Sequence, residues 1–278
     1  MVQYSELPGS TIERPRWIGC GITVTDVRGE YEPFPWCATS LTDSWAVVLP
    51  RAGMYRRRYD GLEHIVDVNT GFVRRPGEEV AMEMPIDQPD ELTHIQLDEE
   101  VVDGLEALHG ARGPLRITAD VELAHRLLRG RLAVAGDGFA IETAVADVLN
   151  AVVERPLHRP SFARPSTEAA HRRLVTDTCE LLHVADPALS LTELARALAV
   201  SPFHLTKVFR RVTGETISQY RARLRVHQVL ERVSGGEDNL SLIAATTGFA
   251  DHSHMTRTVV AHIGRTPSAL RRLLRSSA

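Results

Sequence analysis

One pattern constrains this chain more than any other, because the chain carries it twice. In LTELARALAVSPFHLTKVFRRVTG, which begins at Leu191, residues Leu191, Leu194, Ala195 and Leu198 fall at i, i+3, i+4 and i+7 and mark one apolar face of a short helix. After a brief interruption, Leu205, Val208, Phe209 and Val212 repeat the spacing. Ser201 is a favourable N-cap, and Pro202 stands at the first helical position, where a missing N–H costs nothing. The second helix carries Phe203, His204, Thr206, Lys207, Arg210 and Arg211 off its core face: cations for phosphates, and side chains able to touch base edges. The pair reads as a helix-turn-helix. Leu240, Ile243, Ala244 and Thr247 repeat the first helix 49 residues later. Past the turn the offset is 50, which matches Ser201 with Asp251, Leu205 with Met255 and Gly214 with Gly264. A repeat that keeps helix, turn, helix and closing Gly predicts two copies of one motif. Between them, Thr216 to Val233 has Ile217, Tyr220, Leu224 and Leu230 at near-helical intervals and neither Pro nor Gly, which predicts a long connecting helix.

These stretches, with YRARLRVHQVLE and LSLIAATTGFADHSHMTRTVVAHIGRTPSALRR in that order, resemble the DNA-binding domain of AraC/XylS-type transcription regulators over roughly the last third of the chain. The resemblance implies that one protomer sets two recognition helices into neighbouring major-groove segments. By position it gives base-facing roles to Phe203, Thr206 and Lys207 in the first and to His252, Ser253, His254 and Arg257 in the second, with Arg210 and Arg211 on phosphate. The chain departs from the family at Val259 and Val260, where Phe followed by Lys is usual, and at Met255. Without a cation at 260, the second unit is expected to rely on Arg257, His262 and Arg265.

A net charge of −4 looks wrong for a DNA binder until it is divided. From residue 166 onward there are 15 Lys plus Arg against 10 Asp plus Glu, or +5, which leaves −9 on the rest. The basic part is the nucleic-acid part. Lys207 is the one lysine among the 32 cations. Cys20, Cys37 and Cys179 are odd in number and form no C-x-x-C pair, so neither a disulfide framework nor a zinc site is indicated. MVQYSELPGS has no basic segment leading into an apolar run, and no apolar stretch approaches the roughly 20 residues that span a bilayer. The expectation is a cytoplasmic protein with no membrane role.

The first part reads as short strands: WIGCGITVTDV, SWAVVLP, MYRRRY, HIVDVNTGFVRR, EVAMEM and LTHIQL, separated by Pro, Gly, Asp and Asn. An all-β sandwich or barrel up to about residue 97 follows. The usual partner domain in regulators of this type is a cupin-like sensing barrel, and VDVNTGFVRRPGEEVAMEM has the strand, Arg-Pro-Gly turn, strand look of one. An enzymatic cupin needs clustered histidines and a carboxylate. Only His64 and His94 lie on these strands, near Glu63, Asp67 and Glu83, so no metal or other cofactor is expected and both histidines read as ordinary surface or hydrogen-bonded residues. Trp17, Trp36, Trp45, Tyr55 and Tyr59 are candidate aromatic contacts for a small ligand, with Arg56, Arg57 and Arg58 as anion partners. Alternation along a strand sends Arg56 and Arg58 to one face and Arg57 to the other.

From Asp98 the period changes, and three helices follow. The last carries Ile141, Val145, Val148, Leu149 and Val152 on one face, which suits either a homodimer interface, common for such helices in the family, or docking within the chain. ERPLHRPSFARPS, with Pro156, Pro160 and Pro165, makes a linker. EAAHRRLVTDTCELLHVADP then leads into the DNA-binding part, with Cys179 as a small buried hydrophobe. The fold expected is α+β in two domains. A cupin-like β-barrel and its helices span 1–155 (strands to about 97, helices 98–154), a linker spans 156–166, and an all-α domain with two helix-turn-helix motifs spans 167–278.

The function expected is a dimeric, sequence-specific transcription regulator that binds promoter DNA, answers a small-molecule effector through its barrel, has no catalytic residue, and meets RNA polymerase as a further partner. Three alternatives stand beside it. One is a cupin-type oxygenase or isomerase fused to a DNA-binding tail, and another is a regulator whose barrel only dimerises. The third is an alkyl-transfer DNA-repair protein, whose zinc-held cysteine cluster this sequence lacks.

Overall fold

The computed structural model describes residues 8–59, 61–105, 108, 114–134, 137–153, 165–184 and 189–277. Strands β1 (Gly9–Gly19), β2 (Ile22–Tyr31), β3 (Ser40–Leu41), β4 (Trp45–Ala52), β5 (Met54–Tyr59), β6 (Leu62–Asp67), β7 (Thr70–Arg74), β8 (Glu79–Glu83) and β9 (Asp90–Leu97) come first. Strand β10 (Pro114–Arg116) comes after a short helix α1 (Glu99–Asp103). They make one antiparallel sheet in the order β1-β2-β9-β4-β7-β6-β5-β8-β3, with β10 added on β7. The sheet is a curled half-barrel rather than a closed one. Its buried face is lined by Val27, Tyr31, Val48, Tyr55, Val66, Phe72, Met82 and Leu92.

Three sequence readings are corrected here. WIGCGITVTDV is two strands, not one: Gly19 faces Ile22 across a two-residue turn in which Cys20 and Gly21 have φ of 50° and 71°. Two left-handed residues match the twist of a hairpin, and Gly accepts that geometry without strain. HIVDVNTGFVRR is also a hairpin, with Asp67 opposite Thr70 and the Asp67 carboxylate accepting the Asn69 amide at 2.9 Å. The Arg-Pro-Gly turn leads from β7 to β8, yet these strands are not neighbours, since β6 and β5 lie between them.

The helices are α2 (Ala119–Ala133), α3 (Gly138–Val153), α4 (Pro165–Val184), α5 (Leu191–Ala197), α6 (Pro202–Thr213), α7 (Ile217–Ser234), α8 (Leu240–Thr246), α9 (His252–Ile263) and α10 (Pro267–Ser277). Of the expected linker, residues 156–164 lie outside the described residues, and Pro165 and Ser166 already belong to α4. Packing groups the chain into two compact units. One holds Met1–Arg116 with Arg155–Ile217, the other Ile117–Glu154 with Ser218–Ala278. The first unit thus joins the sheet to the first helix-turn-helix, and the second joins α2 and α3 to the second one.

In the first unit α4 packs on β5, β6 and the recognition helix α6. Polar pairs help hold it on the sheet. Arg56 reaches Asp177 at 2.8 Å and also Glu180, while His183 lies 3.0 Å from the fully buried Asp67. In the second unit α2 packs on α3, α9 and α10, and Leu123 of α2 joins the core formed by Val229, Leu230, Ile243, Phe249, Met255 and Val259. Ile141, Val145, Val148, Leu149 and Val152 are all buried within the chain. The face expected to meet a second copy is therefore already covered, because an apolar helix stripe needs burial but does not specify by what.

A buried ionic cluster ties α2 to α7. Arg126 binds Glu122 at 2.6 Å, Glu231 at 3.1 Å and the Ser234 hydroxyl at 3.0 Å, and Arg129 binds Glu231 at 2.7 Å. Burial alone would raise the pKa of Glu231, but the guanidiniums of Arg126 and Arg129 outweigh it and hold it down to about 2. Buried charges persist in this way only when each is paired.

Candidate nucleic-acid interface

Each helix-turn-helix is built by the same local devices. Ser190 caps α5 in a reciprocal box with Glu193, which makes its start sharp. The Ser201 hydroxyl accepts the His204 amide at 3.1 Å, Pro202 opens α6, and Gly214 ends it with φ 77°. Leu205, Val208 and Phe209 are buried with Leu194 and Ala195. What remains outward is the face expected to read DNA. Phe203 is 77% exposed, His204, Lys207, Arg210 and Arg211 are exposed, and Thr206 is half-buried. The Thr206 hydroxyl donates to the Pro202 and Phe203 carbonyls at 3.0 Å, so toward a base it is an acceptor.

The second motif repeats the frame. Asn239 caps α8 through the Leu242 amide at 3.0 Å, Asp251 caps α9 through the His254 amide at 2.7 Å, and Gly264 closes it with φ 73°. Met255 and Val259 are fully buried, so Met255 fills the core position equivalent to Leu205. His252, Ser253, His254 and Arg257 are all exposed. Val260 is 38% exposed, an apolar side chain where the first motif presents Arg210. His262, expected to add to the electrostatic hold, turns its Nδ1 back to the Thr258 carbonyl at 2.9 Å. Arg265 stays exposed. The cationic surface of α9 is therefore thinner than that of α6.

The sequence reading missed Ser190 and Asn239, whose Ser-x-x-Glu and Asn-x-x spacing before each first helix was a usable signal. It also missed the Glu122, Arg126, Glu231 cluster, whose members lie on helices far apart in sequence.

The candidate ligand residues converge only in part. Tyr55 is core, Trp17 stands on β1 opposite Val24, and Arg57 is buried against Phe72 and paired with Glu78 at 3.0 Å. Trp36 is stacked under the Arg58 guanidinium at 3.9 Å. Of the eight candidates, Trp45, Arg58 and Tyr59 line a cleft of about 820 Å³, which also includes Arg75 and Glu78. His64 and His94 are not surface residues: both are buried, and burial, helped by Arg172 and Arg57 for the first and by Arg74 for the second, pushes both down to about 3. Among the described residues no three His, Cys, Asp or Glu side chains are placed to hold a metal ion, and no helix is long and apolar enough to cross a membrane.

A family described as "Helix-turn-helix domain" matches residues 194–273. A helix-turn-helix-type transcriptional regulator of Mycobacterium tuberculosis is 32% identical over 88 residues, which is 32% of this chain and 34% of that protein. The bifunctional transcriptional activator and DNA repair enzyme Ada of Escherichia coli is 29% identical over 117 residues, 42% of this chain and 32% of that one. The arabinose operon regulatory protein of Salmonella typhimurium is 25% identical over 123 residues, 44% of this chain and 40% of that one. The matched portion is thus 32–40% of each of these curated relatives' lengths. With its paired caps, closing glycines and exposed recognition faces, the segment 194–273 is an AraC-type helix-turn-helix domain.

Proposed function

We propose that the protein is a cytoplasmic, sequence-specific transcription regulator that binds promoter DNA through both α6 and α9 and responds to a small molecule bound by its sheet. The observation that carries this reading is the doubled recognition frame. Two helices begin on equivalent caps and end on equivalent left-handed glycines, and each leaves polar and cationic side chains in solvent. Helix N-termini and arginines supply phosphate contacts, and the exposed Phe203, Lys207, His254 and Arg257 are the side chains this reading sends to base edges. Arg210 and Arg211 position the first helix on the backbone, and no residue is assigned a catalytic role.

A second copy and RNA polymerase are the protein partners that go with this reading, and the buried α3 stripe is not offered to either. The grouping of the sheet with the first helix-turn-helix supports an effector route, because a ligand that prefers one arrangement of that unit shifts its population. The test is binding of the purified chain to its own upstream intergenic DNA against a shuffled duplex, titrated in salt. Selective binding that weakens with a steep salt slope supports the reading. Equal affinity for both duplexes rejects it.

A further inference from the structure

The cleft on the sheet has a chemistry of its own. The Arg58 guanidinium carbon lies over the Trp36 ring, 3.9 Å from its centroid, and that of Arg75 over the Trp45 ring at 4.9 Å. A guanidinium held over an aromatic ring can still offer N–H donors in the planar fork that matches a carboxylate. Trp45 and Tyr59 add aromatic lining, and Glu78, a carboxylate of the lining, is paired with Arg57 at 3.0 Å. Glu79 is exposed. At about 820 Å³ the cleft is within the size range of small-molecule sites.

Arg58 is also the first link of a chain that leaves the cleft. Directly opposite it on β6 is Glu63, whose Oε1 accepts from Arg58 at 3.0 Å and from Arg173 of α4 at 3.4 Å. The other oxygen, Oε2, is buried and makes no hydrogen bond. Two residues along β5 on the same face, Arg56 faces Glu83 and binds Asp177 of α4. Helix α4 in turn packs on α6, where the His171 ring meets the His204 ring edge-on at 5.9 Å.

We propose that this cleft binds a flat organic anion, an aromatic carboxylate, and that Arg58, Glu63 and Arg173 pass its arrival to the recognition helix α6. The relay rests on the regulator reading above; the binding site does not. A carboxylate that takes the Arg58 fork leaves Glu63 with one cation in place of two. A mostly buried carboxylate short of a partner is costly, so Arg173 is drawn in and α4 is held harder on the sheet. Since α4 backs α6, the geometry offered to DNA changes with it.

The test uses the full chain with benzoate, salicylate and 1-naphthoate and their neutral amides as probes, read by tryptophan fluorescence and calorimetry. At least one carboxylate is expected to bind saturably, about tenfold or more tighter than its amide. Arg75→Met and Arg58→Lys, the latter keeping the charge but losing the fork and the stack, should each weaken it about tenfold. Arg173→Met should leave carboxylate affinity within about twofold but abolish the change that the carboxylate causes in DNA affinity. Amides that bind as well as acids, or no saturable acid, overturn the site. Acid binding that leaves DNA affinity unchanged in the unaltered chain overturns the relay. Acid binding in a chain that binds no DNA selectively overturns the regulator reading, and the relay with it, while the site stands.

Discussion

Ser201 and Asp251 occupy equivalent caps fifty residues apart, the one a neutral hydroxyl 3.1 Å from the His204 nitrogen and the other a carboxylate 2.7 Å from the His254 nitrogen. The His254 amide, with that of Ser253, holds the Asp251 carboxyl below the usual aspartate range, so the cap is charged at neutral pH. An exposed anion therefore stands at the start of α9, beside the face proposed to meet DNA. Asp251→Ser keeps an oxygen for the cap and removes the charge. DNA affinity should rise about two- to fivefold at low salt, with the gain shrinking as salt screens it. A binding isotherm at two ionic strengths measures this, and unchanged affinity at both would place the start of α9 away from phosphate.

The two motifs should differ in how they fail. Arg257→Ala is expected to cost about 1–3 kcal/mol on the specific site and to relax discrimination at one base pair, as for a side chain forked onto guanine. Arg210→Ala should weaken specific and random DNA alike and lower the salt slope by about one. Competition assays with single-base variants of the site separate the two patterns; equal losses on all duplexes for Arg257→Ala would make it a phosphate contact.

Because Leu149 is buried with the rest of the α3 stripe, Leu149→Ala should lower the unfolding free energy by about 2–5 kcal/mol. Oligomeric state at matched concentration should not change. Sedimentation of the folded variant together with urea denaturation reads both. A stable variant that dissociates would instead mark α3 as a subunit interface.

Acid should loosen the sheet through its buried histidines. His64 and His94, both held down to about 3, take up protons more readily when unfolded, so their contribution is complete above about pH 6.5 and declines as the pH falls toward 3. Burial, with Glu91 beside it, pushes Asp90 up to about 8, which acts in the opposite sense and offsets about one histidine between pH 4 and 6. With two histidines against one carboxyl, the net effect of these three groups is that stability rises with pH between 5 and 6. His64→Gln should flatten that rise and the double change with His94→Gln should flatten it further, as followed by urea midpoints at pH 6 and pH 5. A slope insensitive to both substitutions would show the histidines to be solvated.

The sequence carried the second half of the fold openly, because helix faces, caps and closing glycines are local and the repeat printed them twice. Ser201, Pro202, Gly214, Asp251 and Gly264 stand where their chemistry requires. The strands were also readable, but the Cys20-Gly21 and Val68-Asn69 turns were not, since neither pair is a strong turn signal amid β-branched neighbours. Nor was the partner of α3, because the Ile141 to Val152 stripe states only that it is buried. The ties of Arg56 to Asp177 and of Arg126 to Glu231 join residues more than a hundred positions apart, and no local pattern announces such pairs.

Hydroxyl-radical footprinting of the intact chain on its selected site, repeated with Lys207→Ala and with Arg257→Ala, bears most directly on the doubled recognition frame. Two protected segments should appear, with Lys207→Ala fading one and Arg257→Ala the other. A single protected segment that both substitutions erase would mean that only one helix reads DNA and that the repeat serves another purpose.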